Sequence, residues 1–308
     1  MKENNPLVSI IIPTYNRSSL LKRALLSVLN QSYENIELII VDDASTDDTK
    51  RKVDAISDTR IRYIRHENQM GAAVARNTGI KSSSGDFIAF QDSDDEWLVQ
   101  KLEKQMAIFK DEGKDVGVVF TSFLRVEDNQ ATYIPQKREH SSGNILEPLL
   151  NGNFIALPSF VTRRECLEKV GFFDEQLPRF QDWELFIRLA KYYNFKHLDE
   201  PLLIAFHSDS SITSNKYLFP VAFEFILKKH ADVFSINTKS YARNYYRLGK
   251  SYCEVNDLNK GIAHFKYSLK MDLFQFSCIA LLLSAVSGKS FYQFTLKIFN
   301  KFNQLVDQ

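Results

Sequence analysis

The sequence predicts an α/β fold with a mostly parallel sheet and flanking helices over residues 1–215, followed by an all-helical region over residues 216–308. Two observations support this prediction. Short β-branched runs alternate with helical patterns through the first hundred residues, and strands separated by helices form a mostly parallel sheet through right-handed crossovers. After Pro220 the chain contains no proline, and its patterns are those of successive helices.

The first hundred residues alternate strand and helix signals. Pro13 is expected to stop the first strand, and Ser18 or Ser19 to cap the first helix. The third strand alternates apolar and basic residues, which is typical of a position near a sheet edge. In chain order the predicted elements are strand Leu7–Ile12, helix Leu20–Asn30, strand Ile36–Val41, a helix opened by residues 45–48, strand Ile61–Arg65, helix Gly71–Ser82 and strand Phe87–Gln91.

The following hundred residues continue the mixture with a less regular rhythm. A polar segment that ends near Gly143 is predicted to be a loop, and Pro201 is expected to interrupt the last strand. The other predicted elements are a helix at Glu96–Phe109, strand Val116–Phe123, the segment Pro158–Thr162, a helix that begins near Arg163, helix Asp182–Tyr193 and strand Leu198–Phe206.

One stretch of the helical region has a repeat-like spacing. A single repeat of this kind cannot bury its own apolar face, so it must pack on the rest of the chain or on a partner. The residues with the spacing of a degenerate tetratricopeptide hairpin are Tyr245, Leu248, Gly249, Tyr252, Gly261 and Phe265.

Composition indicates an ordinary globular protein with room for two domains, since 44% of its 308 residues are hydrophobic and 25% are charged. The net charge of +1 gives no reason to expect nucleic acid as a partner. Three widely spaced cysteines without a CxxC pair favour reduced thiols in a cytoplasm over disulfides or a zinc site. The first residues lack the apolar core of a signal peptide, and the apolar stretch Ile279–Val286 is too short to span a bilayer.

The stretch Asp92-Ser93-Asp94-Asp95 carries the clearest chemical signal. It follows a short apolar run, and open α/β sheets bind ligands at the ends of such strands. Three carboxylates within four residues repel one another unless a cation lies between them, and hard oxygen ligands suit Mg²⁺ or Mn²⁺. The alternative is an acidic helix N-terminus, with Asp94 and Asp95 preceding the helical pattern of Glu96–Phe109.

Five motifs in order make the chain resemble the family 2 glycosyltransferases, which have the GT-A nucleotide-sugar fold. The resemblance covers about residues 7–215 and implies a nucleotide-binding half at 1–115 and an acceptor half at 116–215. Fingerprints of P-loop enzymes, dinucleotide-binding enzymes, α/β-hydrolases and zinc proteases are missing from the sequence. The five motifs are VSIIIPTYN at residues 8–16, ELIIVDDASTD at 37–47, GAAVARN at 71–77, DSDD at 92–95 and QDWEL at 181–185.

The resemblance implies a nucleotide site at the strand ends. Pro13, Thr14 and Tyr15 are expected to line the base pocket, and Asp43 to accept the imide N–H of uracil. Asp42 is then structural, because neighbouring residues of a strand face opposite ways. Two further residues are implied: Arg76, next to the nucleotide or in a salt bridge to the acidic loop, and Asp92, near the ribose.

The resemblance also implies a metal site and a catalytic base. Asp94 and Asp92 are expected to hold Mn²⁺ or Mg²⁺, with His207 as a further metal or phosphate ligand or as a structural residue. Asp182 is the expected general base, although the family usually has an acidic residue where this chain has Gln181.

The same stretch leaves three alternatives open. Asp182 is either the base or a plain helix cap, and Glu184 is the fallback base. Trp183 is expected either to stack on the acceptor sugar or to pack in the core. Asp95 is expected to cap a helix or to support the metal ligands.

The resemblance implies a metal-dependent inverting glycosyltransferase that uses a nucleotide sugar, most simply a UDP-sugar, and a glycan or lipid-linked acceptor of bacterial surface polysaccharide synthesis. The alternatives are a nucleotidyltransferase and a non-catalytic scaffold that binds a partner through its C-terminal helices. Residues 216–308 contain 13 Lys/Arg and 6 Asp/Glu. With the aromatic-rich helices of this region, the basic balance leaves two interpretations open: a cytoplasmic protein that is peripheral on the inner face of the plasma membrane, or aromatic residues that pack against the catalytic body.

Overall fold

The computed structural model describes residues 5–128, 130–135, 141–206 and 215–306, with side chains as far as residue 298. The chain divides into two compact units. The first comprises residues 1–176 and 181–211, and the second comprises residues 177–180 and 212–308. The sequence pattern does not set apart the short segment Leu177–Phe180, whose Phe180 ring packs edge-on against Phe219 with centroids 5.1 Å apart.

In the described part of the first unit, nine strands form one sheet in the order β3-β2-β1-β4-β8-β6-β9-β5, with β7 paired to β6. Strands β1 to β4 are parallel neighbours and β9 is parallel to β6, whereas β5, β7 and β8 pair antiparallel. The predicted α/β fold with a mostly parallel sheet is therefore confirmed. The strands are β1 (Val8–Thr14), β2 (Ile36–Asp42), β3 (Ile61–Arg65), β4 (Phe87–Phe90), β5 (Glu96–Trp97), β6 (Val116–Glu127), β7 (Gln130–Ile134), β8 (Phe160–Arg163) and β9 (Asn194–Phe206).

Helices flank this sheet and make up the second unit, as the pattern after Pro220 predicts. Within the described residues, none of them is long and apolar enough to cross a bilayer. The helices are α1 (Leu21–Leu29), α2 (Thr49–Asp54), α3 (Ala72–Ser82), α4 (Lys101–Asp111), α5 (Leu146–Asn151), a 3-10 helix (Leu157–Ser159), α6 (Arg164–Val170), α7 (Gln181–Ala190), α8 (Leu218–Lys229), α9 (Ala231–Phe234), α10 (Thr238–Glu254), α11 (Leu258–Met271), α12 (Phe276–Val286) and α13 (Lys289–Val306).

The core of the first unit explains why the functional motifs meet at one edge. Strands β1 and β4 are buried on both faces, and the apolar residues of α1, which recur at helical spacing, belong to the core cluster on one of these faces. In the parallel register Thr14 lies opposite Asp42, and Ile11 lies opposite Phe90. The ends of β1, β2 and β4 therefore deliver their polar residues to the same carboxyl edge of the sheet.

Two predicted breaks at prolines are wrong. Strand β1 continues through Pro13 to Thr14, because its pairing with β4 ends at Ile11 and no partner on that side needs the missing N–H. Strand β9 continues through Pro201, where its register with β6 shifts and the proline is accommodated.

Two predictions about helix starts are also wrong. Neither Ser18 nor Ser19 caps α1, whose N-cap is Leu20; the Ser18 N–H instead donates to an Asp47 carboxylate oxygen at 3.0 Å. The predicted helix at Glu96–Phe109 begins only at Lys101, after the two residues of β5 have paired with β9. Asp94 and Asp95 are therefore not the cap of a helix.

The segment that was expected to be a loop before Gly143 contains β7, which extends β6 into a hairpin. The first residues of β6 are buried on both faces, whereas the last ones alternate in exposure. The apolar run from which the strand is predicted ends at Phe123, whereas β6 continues to Glu127. The sequence pattern therefore predicts too short a strand.

In the second unit α10 and α11 form a helical hairpin that depends on close approach at two glycines. A Cβ atom at Gly261 would lie 2.1 Å from the Cys253 Sγ and 2.9 Å from the Gly249 carbonyl oxygen. The hairpin packs with α12 and α13 around Phe265 and Tyr292. Its classification as a tetratricopeptide unit stays a prediction.

Candidate active site

The loops that follow β1 and β2 are held together by hydrogen bonds. Asn16 has a left-handed backbone (φ 51°), its N–H donates to Ser45 Oγ at 2.9 Å, and its side-chain oxygen accepts from the Thr46 N–H at 2.8 Å. This arrangement leaves the Tyr15 ring 39% exposed at the edge of the sheet. Thr14 is buried beside it, and its hydroxyl has no hydrogen-bond partner among the described residues.

Asp42 and Asp43 are both buried, but they contact different parts of the fold. Asp42 accepts hydrogen bonds from the Ser45 N–H at 2.8 Å and from the Tyr63 hydroxyl, both within the β2–β3 region. Asp43 accepts from the N–H groups of Met70 and Gly71, at 2.8 and 2.7 Å, where α3 begins.

The Nδ1 atom of His66 lies 2.8 Å from the Asp43 carboxylate. A carboxylate offers about four acceptor positions, so three contacts leave Asp43 room for one further donor. Gly71 adopts φ 93°, a conformation that suits glycine and brings its N–H to this carboxylate.

The acidic motif directly follows β4. Asp92 and Asp94 have partly exposed side chains, whereas Asp95 is buried and accepts the Phe206 N–H at 3.0 Å. Asp95 therefore ties the acidic loop to the end of β9. Burial, with the Asp92 charge added, raises the pKa of Asp94, while Arg17 opposes that shift.

Two arginines that follow the first motif approach this loop, and sequence reasoning missed both. Arg17 Nη1 lies 3.8 Å from a carboxylate oxygen of Asp94. Arg23, one turn into α1, donates to the Asp94 carbonyl oxygen and stacks over the Phe206 ring at 3.7 Å. The family often has an arginine where this chain has Phe206, whereas here Arg17 and Arg23 supply the positive charge beside the loop. The sequence alone gives little indication that these arginines belong to a site, because arginines on or beside an amphipathic helix are usually solvated.

Arg76 of α3 bridges the acidic loop and α7. Its Nη2 donates to Asp92 at 3.1 Å, and its Nη1 donates to the Gln181 side-chain oxygen at 3.2 Å. The salt bridge to the acidic loop, which was one of the two predictions for this residue, is thus present. Gln181 contributes a neutral acceptor where the family usually has an acidic residue.

Asp182 lies in the first turn of α7, which begins at Gln181, so Asp182 is not the N-cap of that helix. Its carboxylate accepts a hydrogen bond from Asn153 Nδ2 at 2.9 Å. Desolvation raises the pKa of Asp182 and the Asp92 charge adds to that effect, whereas the Trp183 N–H and Arg76 oppose it. A carboxyl group with a raised pKa suits a general base.

The two neighbours of Asp182 are engaged in packing. Trp183 is only 4% exposed, and its indole N–H donates to the Leu149 carbonyl at 2.7 Å. Its ring is not open to a sugar, which favours the packing role over acceptor stacking. Glu184 is fully buried and ion-paired with Arg188 at 2.8 Å, which removes it as the fallback base.

The acidic loop suits a divalent cation only in part. Among the residues that the structure describes, no group of three His, Cys, Asp or Glu side chains is arranged to coordinate a metal ion. Asp92 and Asp94 nevertheless supply hard oxygen donors on one turn, and Mg²⁺ or Mn²⁺ is commonly held by one or two carboxylates together with substrate phosphates. His207, the third expected ligand, lies outside the described residues.

Comparison with known proteins identifies the family. The profile described as Glycosyl transferase family 2 matches residues 9–171. The chain belongs to glycosyltransferase family 2. Among its relatives, the Escherichia coli protein named UDP-Glc:alpha-D-GlcNAc-diphosphoundecaprenol beta-1,3-glucosyltransferase WfgD is 34% identical over 216 residues, which cover 68% of this chain and 81% of WfgD.

A second relative comes from E. coli strain K12. The putative colanic acid biosynthesis glycosyl transferase WcaA, as it is named, is 34% identical over 254 residues, which cover 78% of this chain and 86% of WcaA.

Solved structures show the same GT-A fold. S. aureus TarS 1-349 in complex with UDP-GlcNAc superposes with a TM-score of 0.68 at 19% identity, covering 96% of this chain and 91% of that one. The mannosyltransferase PcManGT from Pyrobaculum calidifontis, in complex with GDP-Man and Mn2+, gives a TM-score of 0.60 at 18% identity and covers 96% of this chain and 84% of that one. The predicted GT-A catalytic fold followed by C-terminal helices is thereby confirmed.

Proposed function

We propose that this family 2 glycosyltransferase transfers a sugar from a UDP-sugar to an acceptor hydroxyl, with inversion at the anomeric carbon and with Mn²⁺ or Mg²⁺ as cofactor. The observation that carries the proposal is the Arg76 bridge between Asp92 and Gln181. Through this bridge the acidic loop after β4 lies beside the first turn of α7, which carries Asp182. A nucleotide bound at the acidic loop would therefore lie near Asp182.

The donor site is assigned to the carboxyl edge of the sheet. Tyr15 offers an exposed ring to the uracil, next to the backbone of Pro13 and Thr14. Asp43 has an acceptor position left for the uracil N–H, and Asp92 lies where the ribose hydroxyls would follow. Two comparisons support uridine as the nucleoside. S. aureus TarS 1-349 has been solved in complex with UDP, and the name of WfgD states UDP-Glc as its donor.

The diphosphate is assigned to the acidic loop and its two arginines. Asp94 and Asp92 would hold the divalent cation, which supplies Lewis-acid stabilisation of the charge on the departing diphosphate. Arg17 and Arg23 add positive charge on the α1 side of the same loop. Arg76 keeps the Asp92 carboxylate oriented toward this site.

Asp182 is assigned as the general base. Its carboxylate takes the proton of the acceptor hydroxyl while that oxygen forms the new bond to the anomeric carbon. The bond from this carbon to the diphosphate oxygen breaks on the opposite face, and its electron pair leaves with the nucleoside diphosphate. A single displacement of this kind inverts the anomeric configuration.

The acceptor is assigned to the lipid-linked glycans of surface polysaccharide synthesis. This assignment is supported by the name of WfgD, which states a GlcNAc-diphosphoundecaprenol acceptor, and by the name of WcaA, which states colanic acid biosynthesis. The reaction would then take place on the cytoplasmic face of the plasma membrane.

The test is nucleoside diphosphate release from UDP-Glc, UDP-GlcNAc, UDP-Gal, GDP-Man and dTDP-Glc, with and without Mn²⁺. A synthetic GlcNAc-diphosphate-lipid serves as acceptor, and water alone serves as the reference. We expect metal-dependent release from one UDP-sugar and its loss in a folded Asp94→Asn variant. Release from a GDP- or dTDP-sugar would overturn the donor assignment, and release that persists with chelator would overturn the metal assignment.

A further inference from the structure

The last two helices present an unusual amount of apolar surface to solvent. On α12 the exposed apolar residues Phe276, Leu283 and Val286 recur at intervals that place them on one side of the helix. On α13 Phe291, Phe294 and Ile298 do the same. These six side chains, with Leu273 and Phe274 just before α12, are between 52% and 82% exposed. We call them the apolar stripes.

The opposite sides of both helices are already used for packing. Cys278, Leu281 and Ala285 of α12 and Tyr292 of α13 are buried in the core of the second unit, together with Phe265. Each helix therefore has two apolar sides, one buried in this core and one exposed. The exposed apolar stripes are separate from the core. Apolar surface of this extent on a soluble fold marks an interaction site.

The two helices α12 and α13 carry charges of one sign, and the acidic residue that lies nearest in the sequence is Asp272, directly before Leu273. Residues 276–306 contain Lys289, Lys297 and Lys301 and no aspartate or glutamate. Lys289 and Lys297 are exposed, and Lys297 directly precedes Ile298 of the stripe on α13. Lys266 and Lys270 of the preceding helix α11 are exposed as well.

We propose that the apolar stripes of α12 and α13 dock on an anionic membrane surface. Apolar side chains that enter the headgroup region, on helices that carry lysines and no acidic residue, are the features that bind an amphipathic helix to acidic lipid. The proposal rests on this surface alone and not on the catalytic assignment.

Flotation of the full-length protein with vesicles tests the proposal. The probes are vesicles of phosphatidylcholine alone and vesicles with one quarter phosphatidylglycerol. We expect binding to the anionic vesicles, and at least about tenfold weaker binding when Phe291→Glu and Phe294→Glu are combined, because two apolar side chains no longer enter the interface. The matched control is Ile236→Glu, at a position that is 80% exposed outside the apolar stripes, which should bind as the wild type does.

A second pair of variants separates charge from apolar contact. Lys289→Gln with Lys297→Gln should reduce the preference for anionic over neutral vesicles, and Leu283→Glu on the other helix should weaken binding as the α13 variant does. Three results would overturn the proposal: no vesicle binding by the wild type, equal loss in the Ile236→Glu control, or a wild-type dimer that the Phe291→Glu, Phe294→Glu variant converts to a monomer while vesicles bind neither. The last result would identify the apolar stripes as a contact between two copies of the chain.

Discussion

The side-chain nitrogen of Asn153 lies 2.9 Å from the Asp182 carboxylate, and this hydrogen bond joins the loop after α5 to the first turn of α7. The Asn153 side-chain oxygen in turn accepts the Ile155 N–H at 3.1 Å, which fixes the orientation of the amide. Asn153 is therefore a positioning residue for the proposed base, and no sequence pattern indicates this role.

Removing that hydrogen bond should change the pH dependence of transfer. Desolvation raises the pKa of Asp182, and a base is active only when it is ionised, so the rate should rise with pH through this raised pKa. Asn153→Ala removes a donor that favours the ionised form, and we expect the acid limb of kcat/KM to move to higher pH with a loss of about threefold to tenfold on that limb.

The matched control is Asn151→Ala, because Asn151 donates to the Glu147 carbonyl of its own helix at 3.1 Å. The positioning role would be wrong if Asn153→Ala lowered the rate equally at every pH, since a general structural defect does not move the pKa of the base.

Gln181 offers a charge test of the same carboxyl group. Gln181→Glu would place a second carboxylate beside Arg76 and next to Asp182 in the chain. A like charge disfavours ionisation of its neighbour, so the acid limb should again move to higher pH. Gln176→Glu, at an exposed position outside the site, adds the same charge and should leave the pH profile where it is. An unmoved profile in Gln181→Glu would contradict the electrostatic coupling between the two positions.

The sequence predicts the parallel half of the sheet well, because β-branched runs such as Ile36–Val41 are buried on both faces and helices separate them. It predicts less of the region after Phe90, where Glu96 and Trp97 have a helical pattern but pair with β9. That pairing joins residues more than a hundred positions apart, and local spacing contains no information about it.

The site divides along the same line. Family resemblance identifies four motif residues as candidate site residues: Asp43, Asp92, Asp94 and Asp182. All four lie in loops or helix turns of the first unit. Asn153, Arg17 and Arg23 belong to the site through long-range contacts that only the fold creates. For Trp183 the sequence suggests a role that the fold does not support. An aromatic ring could stack on a sugar, but the fold buries this ring.

Arg23 should contribute to nucleotide binding. Its guanidinium donates to the Asp94 carbonyl and stacks over Phe206, so Arg23→Met removes both a positive charge and a support of the acidic loop. We expect UDP to bind about tenfold more weakly, as measured by titration calorimetry in the presence of Mn²⁺. Lys22→Met removes the same charge from the exposed neighbour. Equal losses in the two variants would show that only the overall charge matters.

The hairpin of α10 and α11 should be sensitive to a single methyl group. Gly261→Ala places a Cβ atom within 2.1 Å of the Cys253 Sγ and 2.9 Å of a backbone oxygen, which forces the two helices apart. We expect the free energy of unfolding to fall by about 1 to 3 kcal/mol in a denaturant titration. Ala263→Ser, exposed on the same helix, should cost far less. An unchanged midpoint for Gly261→Ala would contradict the close packing of the hairpin.

The role of Asp182 is tested most directly by measuring both transfer and donor binding in Asp182→Asn. The variant keeps an oxygen that accepts from Asn153, and it loses the negative charge and the ability to take a proton. We predict that the transfer rate falls by about 10² to 10⁴ while the affinity for the UDP-sugar stays that of the wild type. Transfer at the wild-type rate by a folded Asp182→Asn variant would contradict the assignment of the base.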